Sequence, residues 1–121
     1  MFKRALNIRK GALSPKHPDV ASSQNGLAMS YLGQQRYDEA EAHYIKALSI
    51  WEKSLGKEHP FVALSLTGLA TVYRDQGDME KSEPYFKRSL MIRENVFGEN
   101  HELTLEVRGS LDELRKSLNS K

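Results

Sequence analysis

The sequence predicts an all-α solenoid, a stack of antiparallel helix pairs, and three observations lead to this fold class. Residues recur at a step of 42 along the 121-residue chain, apolar residues follow helical spacing, and Gly and Pro fall at matching places. Self-similarity at a period of about 20–50 residues is typical of repeats that stack on their neighbours. The recurring sets are His17, His59, His101; Leu6, Leu48, Leu90; Ile8, Ile50, Ile92; and Leu27, Leu69, Leu111.

Within each period the apolar residues are three and four positions apart. One such stripe is Ala40, Tyr44, Ala47, Leu48 and Trp51. These steps place side chains on one helix face, and no segment shows the strict alternation of a strand. Each period is therefore predicted to hold two helices, about six in all. Their predicted spans are 2–13, 18–34, 38–55, 60–76, 80–97 and 102–118.

The first predicted helix, 2–13, keeps the register of the later repeats, because Phe2 and Leu6 align with Tyr44 and Leu48. This stretch is also basic and amphipathic, as a mitochondrial presequence is. A targeting peptide has no reason to keep the repeat register. We therefore interpret the segment as the second helix of an incomplete pair.

The second predicted helix, 18–34, opens at Pro18, whose missing N–H costs nothing at the first helical position. Asp19 favours the positive end of the helix dipole. The dipeptide Asn25-Gly26 resembles a hairpin turn, but it aligns with Thr67-Gly68 in the middle of an apolar stripe. The helix is therefore predicted to continue through it.

The helices 38–55 and 80–97 end before Gly56 and Gly98, which suit a left-handed residue after a helix. Pro84 lies slightly too deep for a free first turn. It is predicted to loosen or kink the start of its helix, while the repeat register prevails.

The helix 60–76 opens at Pro60. The last helix, 102–118, departs from the repeat pattern, because Asp112 stands where earlier repeats have Ala and Arg115 stands where they have Tyr. That helix is predicted to be a solvated cap, which open repeat arrays need. Its apolar stripe is Val107, Leu111, Leu114 and Leu118. The expected organisation is one solenoid over 1–121, made of an incomplete repeat 1–17, repeats 18–59 and 60–101, and the cap 102–121.

Composition narrows the functional classes. A net charge of +2 spread along the chain does not favour nucleic acid, and no apolar run approaches the length of a membrane span. The chain has no Cys, which fits a cytoplasmic location and excludes thiolate chemistry. We expect neither a nucleic-acid nor a membrane partner.

Neither catalysis nor a metal or other cofactor is predicted. The sequence contains no phosphate-binding loop and no G-x-S-x-G or His-Glu-x-x-His motif. His17, His59 and His101 lie a full repeat apart, so they cannot converge on one ion. They are predicted to organise the loops between repeats.

The repeat resembles the tetratricopeptide repeat, in the 42-residue form found in kinesin light chains. The residues that carry the resemblance are Leu27-Ala28-x-x-Tyr31, Ala40-x-x-x-Tyr44-x-x-Ala47-Leu48 and Leu55-Gly56-x-x-His59-Pro60, with counterparts one period on. The resemblance covers nearly the whole chain. It implies a right-handed solenoid that acts as a non-catalytic protein-interaction scaffold or adaptor.

Small residues are predicted where helices approach closely. Ala28 should face Ala40 within one repeat, and Ala70 should face Ser82 in the next. Ala5, Ala47 and Ser89 should make room for the following repeat, while Tyr31, Tyr44, Tyr73 and Phe86 fill the spaces between helices.

The family resemblance also implies that the first helix of each pair lines a concave face that takes extended peptides. Matched residue by residue, the predicted peptide-binding positions are Ser22, Asn25, Met29, Leu32, Leu64, Thr67, Thr71, Arg74, Glu113 and Lys116. A suitable ligand would offer backbone amides to Asn25, an apolar side chain to Met29 and Leu32, and a carboxylate to Arg74. Thr67 and Gly109 stand where kinesin light chains have Asn.

Two functions remain open at this point. The first is an adaptor that binds a partner's peptide in the concave groove. The second is a structural module that forms homo-oligomers by stacking through the incomplete helix 2–13. In the second case part of Phe2, Ala5 and Leu6 would be exposed to a neighbouring copy.

Overall fold

A computed structural model describes residues 18–119 of the chain, which form five helices. These are α1 Pro18–Gly33, α2 Tyr37–Leu55, α3 Pro60–Asp75, α4 Met79–Phe97 and α5 Glu102–Asn119. No strand occurs within this range. Five of the six predicted helices are confirmed, each bound within one residue of its prediction, and the predicted helix 2–13 lies outside the described residues.

The helices stack in chain order as a right-handed solenoid. α1 packs along α2 and α3 along α4, while α2 meets α3, and α5 packs on α4. The first helices of successive pairs, α1 and α3, also touch directly. Two hairpins and a following helix therefore bury three apolar clusters, and Tyr85 packs against all three.

Histidine side chains cap the N-termini of two helices, α3 and α5. His59 Nδ1 accepts a hydrogen bond of 3.0 Å from the Phe61 backbone N–H, and His101 Nδ1 accepts one of 3.1 Å from the Leu103 N–H. Each ring thereby caps a backbone donor that the first helical turn leaves unpaired. The prediction that these histidines organise the loops is confirmed for both, and His17 lies outside the described residues.

Glycine ends α2 and α4 in a conformation that other residues rarely adopt. Gly56 has φ 96° and ψ 153°, and Gly98 has φ 93° and ψ 162°. These angles have the predicted positive φ, but their ψ values lie in the extended rather than the left-handed helical range. That region is open essentially to Gly alone, which explains Gly at this position of the repeat.

Small residues lie at the predicted close contacts. Ala28 and Ala40 are fully buried in one cluster, and the Ser82 hydroxyl donates a 2.6 Å hydrogen bond to the Ala70 carbonyl oxygen. Tyr44 is buried over Gly68: a Cβ on Gly68 would lie 2.3 Å from the ring carbon Cε1. The glycine is thus required by packing, although the helix runs straight through it.

The repeat register also prevails at the two doubtful positions. α1 continues through Asn25-Gly26, and α4 runs unbroken from Met79 to Phe97 with Pro84 inside it. In α5, the stripe Val107, Leu111 and Leu114 is buried against Phe86. Burial of these apolar faces is the main contribution to the stability of the stack.

Candidate functional site

The concave face holds a cavity of about 210 Å³. α1 and α3, the first members of their pairs, contribute seven of its ten lining residues, and α2, α4 and α5 contribute one each. The lining residues are Asn25, Met29, Leu32, Tyr44, Leu64, Thr67, Gly68, Thr71, Arg93 and Glu106. The cavity therefore lies across the repeats, and no single repeat could form it.

The repeat spacing explains why these positions converge. Leu64 and Glu106 stand 42 residues apart (106 − 64 = 42), and Asn25 and Thr67 do as well (67 − 25 = 42). Successive repeats stack in register, so equivalent residues of successive first helices line one surface. Residues at equivalent positions of successive repeats therefore lie next to one another in the cavity wall.

Six of the ten predicted binding residues line this cavity: Asn25, Met29, Leu32, Leu64, Thr67 and Thr71. Ser22, Arg74, Glu113 and Lys116 do not. Ser22, Glu113 and Lys116 are exposed, and Arg74 is half-buried. The predicted set thus includes six residues of the cavity wall and four residues outside it.

Apolar side chains form one wall. Met29 is 60% exposed and Leu64 is 42% exposed, although both lie on helix faces that turn toward the cavity. Leu32 is half-buried beside them. Exposed apolar residues gathered in a concave site are typical of ligand pockets.

The Asn25 amide is mostly engaged inside the protein. Its side chain is buried, and its Oδ1 accepts a 3.0 Å hydrogen bond from the Ser65 hydroxyl of α3. Its Nδ2 donates weakly to the Met29 sulfur at 3.8 Å. A ligand would therefore meet Asn25 as a donor through Nδ2, while the carbonyl oxygen holds α1 to α3.

The hydroxyl groups of Thr67 and Thr71 also donate their hydrogen bonds to other groups of the protein. The Thr71 hydroxyl donates to the Thr67 carbonyl oxygen at 2.8 Å. The Ser89 hydroxyl donates to the Ala63 carbonyl oxygen at 3.2 Å, so the 2.7 Å contact between Thr67 Oγ1 and Ser89 Oγ has Thr67 as donor. The threonines can therefore offer the cavity methyl groups and acceptor lone pairs.

Arg74, the predicted carboxylate partner, lies outside the cavity. Its Nε donates to Asp75 Oδ1 at 3.4 Å, and its guanidinium lies 5.7 Å from the centre of the Phe86 ring. The neighbouring carboxylate already compensates part of its charge.

Sequence reasoning missed four lining residues: Tyr44, Gly68, Arg93 and Glu106. Arg93 is only 4% exposed, and its Nη1 donates a 3.0 Å hydrogen bond to the Leu103 carbonyl oxygen. Burial lowers the pKa of Arg93, and the nearby Glu106 carboxylate opposes that shift. A signal was available, because Arg93 stands one period after the buried Trp51 (93 − 51 = 42).

Within residues 18–119, no three His, Asp or Glu side chains gather as metal ligands. Across the same range, no helix is both long and apolar enough to cross a membrane.

Comparison with known proteins gives a family match in sequence. A family model described as a tetratricopeptide repeat matches residues 1–41, 19–95 and 62–113. No protein with a curated description matches the chain.

Solved structures match the fold over nearly all of the chain. BtubC (BKLC) from P. vanneervenii has 26% identity and a TM-score of 0.85, covering 96% of this chain and 46% of its own. A putative kinesin light chain with nearly identical TPR-like repeats from Podosopora anserina has 22% identity and a TM-score of 0.85, covering 98% and 56%. A point-substituted form of the latter has 22% identity and a TM-score of 0.75, covering 99% and 57%. The chain thus spans about half the length of these proteins.

Proposed function

The chain belongs to the tetratricopeptide repeat family, generally a family of protein-interaction modules, and on that basis we propose that it is a non-catalytic adaptor whose concave groove binds an extended segment of a partner protein. We place this adaptor in the cytoplasm, a location that the lack of cysteine fits.

The observation that carries the proposal is the cavity formed mainly by α1 and α3, which belong to successive repeats. A site built from several repeats suits a ligand that runs along the solenoid axis and touches each repeat in turn. Met29 and Leu64 give such a segment an apolar contact, and Asn25 Nδ2 together with the threonine oxygens gives its backbone polar partners. Extended peptides combine these two demands.

A selected peptide tests the groove directly. We would select binders from a random peptide library on the wild-type chain and measure affinity by calorimetry for wild type and Leu64→Gln. Removing the leucine contact should weaken binding by roughly ten- to a hundredfold, since burying such a side chain contributes roughly 1.5–3 kcal/mol.

Ile45→Gln is the matched control, because Ile45 is 47% exposed on α2 and does not line the cavity. It should leave affinity unchanged. Peptides that bind Leu64→Gln as well as wild type, or that lose affinity on Ile45→Gln, would overturn the proposal.

Self-association is the competing function, and the segment that would mediate it, 2–13, lies outside the described residues. Sedimentation over a wide concentration range separates the two functions. The adaptor proposal expects one monomeric species throughout, whereas mass that rises with concentration would support the stacking module.

A further inference from the structure

Met29 is the most exposed large apolar residue in residues 18–119, and it lines the cavity. It is 60% exposed, and Met91 on α4, at 54%, is the other exposed methionine of this range. The third, Met79, is half-buried and packs against the cluster around Phe86. Because a dissolved oxidant reaches exposed side chains first, Met29 and Met91 are the methionines of this range most open to oxidation.

The Met29 sulfur has a hydrogen-bond donor beside it. Asn25, one helical turn earlier on α1, directs its Nδ2 at the sulfur from 3.8 Å. A thioether is a weak acceptor, so this contact is weak in the reduced protein. A sulfoxide carries a polar oxygen on the same sulfur, and that oxygen accepts a hydrogen bond from an amide more strongly. The Ser65 hydroxyl holds the other end of the Asn25 amide at 3.0 Å, so Nδ2 stays near position 29 in either form.

Oxidation of Met29 would change two properties of the cavity. It would place a polar oxygen in the apolar wall that Met29 shares with Leu32 and Leu64, where an aliphatic ligand group would pack. It would also engage Asn25 Nδ2, the donor that a peptide backbone would use. Both changes oppose the binding of a segment that combines apolar side chains with backbone hydrogen bonds.

We propose that Met29 is a redox-sensitive site that controls the groove: peroxide oxidises it to the sulfoxide, which accepts a hydrogen bond from Asn25 Nδ2 and weakens binding of the partner segment. In this step the O–O bond of hydrogen peroxide breaks. One oxygen atom bonds to the sulfur, which loses two electrons, and the other leaves as water. A methionine sulfoxide reductase reverses the step with electrons from thiols. The inference rests on the proposed peptide-binding function and adds a means of regulating that site.

The test compares each protein with itself before and after treatment with hydrogen peroxide. The probe is a library-selected peptide without Met or Cys, so that the peptide itself is not oxidised, and calorimetry measures its affinity. Mass spectrometry follows sulfoxide formation at positions 29 and 91. Oxidised wild type should bind the peptide about tenfold more weakly, because an apolar contact is lost. Methionine sulfoxide reductase should restore the affinity.

Two leucine variants assign the effect to one sulfur. Met91→Leu removes the exposed methionine that lies outside the cavity, so peroxide should weaken its binding as much as that of wild type. Met29→Leu keeps an apolar side chain in the cavity without an oxidisable sulfur, so its affinity should be equal before and after peroxide. Oxidation should leave the melting temperature of wild type unchanged, because Met29 and Met91 are exposed.

NMR of the Asn25 side-chain amide tests the contact without a peptide. Its Nδ2 proton signals should move on oxidation of wild type and of Met91→Leu, and they should stay in place in Met29→Leu.

Four results would overturn this inference: a Met29 that peroxide does not oxidise, an Asn25 signal unmoved by its oxidation, a loss of affinity that persists in Met29→Leu, or an oxidised wild type that melts at a lower temperature. These outcomes differ from failure of the adaptor proposal. If library peptides require Leu64 and bind oxidised and reduced wild type equally, the groove binds peptides and only the redox control is wrong.

Discussion

At the scale of single residues, contact distance decides which small side chains the repeat requires. Gly68 is covered by the Tyr44 ring, and a Cβ there would lie 2.3 Å from it. Gly109, in the middle of α5, has no heavy atom within 4 Å of a Cβ built on it. Packing therefore requires glycine at position 68, whereas position 109 has room for a side chain.

Alanine at these two positions should have opposite effects on stability. Gly68→Ala should lower the free energy of unfolding by about 1–3 kcal/mol, because the buried ring must move. Gly109→Ala should raise it by about 0.5–1 kcal/mol through the lower chain entropy of the unfolded state and better helix propensity. Urea denaturation measures the free energy of unfolding of both variants and of the wild type. Similar changes at both sites would refute the packing of Tyr44 on Gly68.

His43 links α1 to α2 in its neutral form. Its Nδ1 lies 2.5 Å from Gln24 Oε1, and its ring stacks on Tyr31 with the ring centres 5.3 Å apart. Burial lowers the pKa of His43 below its ordinary 6.5, Lys46 lowers it further, and Glu39 acts in the opposite sense. The folded protein therefore takes up this proton less readily than the unfolded chain.

Stability should consequently fall as the pH drops below about 6.5, where the unfolded chain binds the proton first. His43→Gln keeps a hydrogen-bonding group and removes the titration. Thermal melts between pH 8 and pH 5 should show a smaller loss for the variant than for wild type. Parallel curves for the two proteins would contradict a lowered pKa of the half-buried His43.

At the scale of helices, local residue chemistry was enough to predict boundaries. Pro60 opens α3, Gly56 and Gly98 end α2 and α4, and each of these positions requires that residue type for a local reason. Such rules act within a few residues, so a sequence displays them directly. Pro84 breaks the local rule, and only the repeat register indicated that α4 continues.

Pro84 should cost α4 stability. It has no N–H to donate to the carbonyl of Glu80, four residues earlier, and the equivalent position in the preceding repeat is Ala42 (84 − 42 = 42). Pro84→Ala should raise the free energy of unfolding by about 1–3 kcal/mol. Ala42→Pro, the reciprocal change in α2, should lower it. Guanidinium denaturation measures the free energy of unfolding of both variants. A Pro84→Ala variant less stable than wild type would refute the view that Pro84 destabilises α4.

The functional site was predictable only in part, because its position depends on contacts between repeats. The family resemblance implied that Asn25, Thr67 and Thr71 lie on the concave face, and all three line the cavity. It did not indicate that the side-chain oxygen of Asn25 accepts a hydrogen bond from Ser65. Nor did it indicate that Arg93, on the second helix of its pair, lines the cavity. These facts depend on side-chain directions across helices, which residue spacing alone does not determine.

At the scale of the whole molecule, one repeated unit produces both the core and the surface that lines the cavity. Stacking at a 42-residue step buries the small and aromatic positions, and it aligns the first helices along one concave side. Since the cavity draws mainly on α1 and α3, a ligand bound there would contact two successive repeats at once. The cavity and the stacking are therefore consequences of the same register.

NMR mapping of a library-selected peptide tests this claim most directly. The account predicts the largest shifts at backbone amides of three cavity residues, Asn25 on α1, Thr67 on α3 and Glu106 on α5. Shifts confined to exposed positions of the second helices, such as Ile45 on α2 and Met91 on α4, would contradict it.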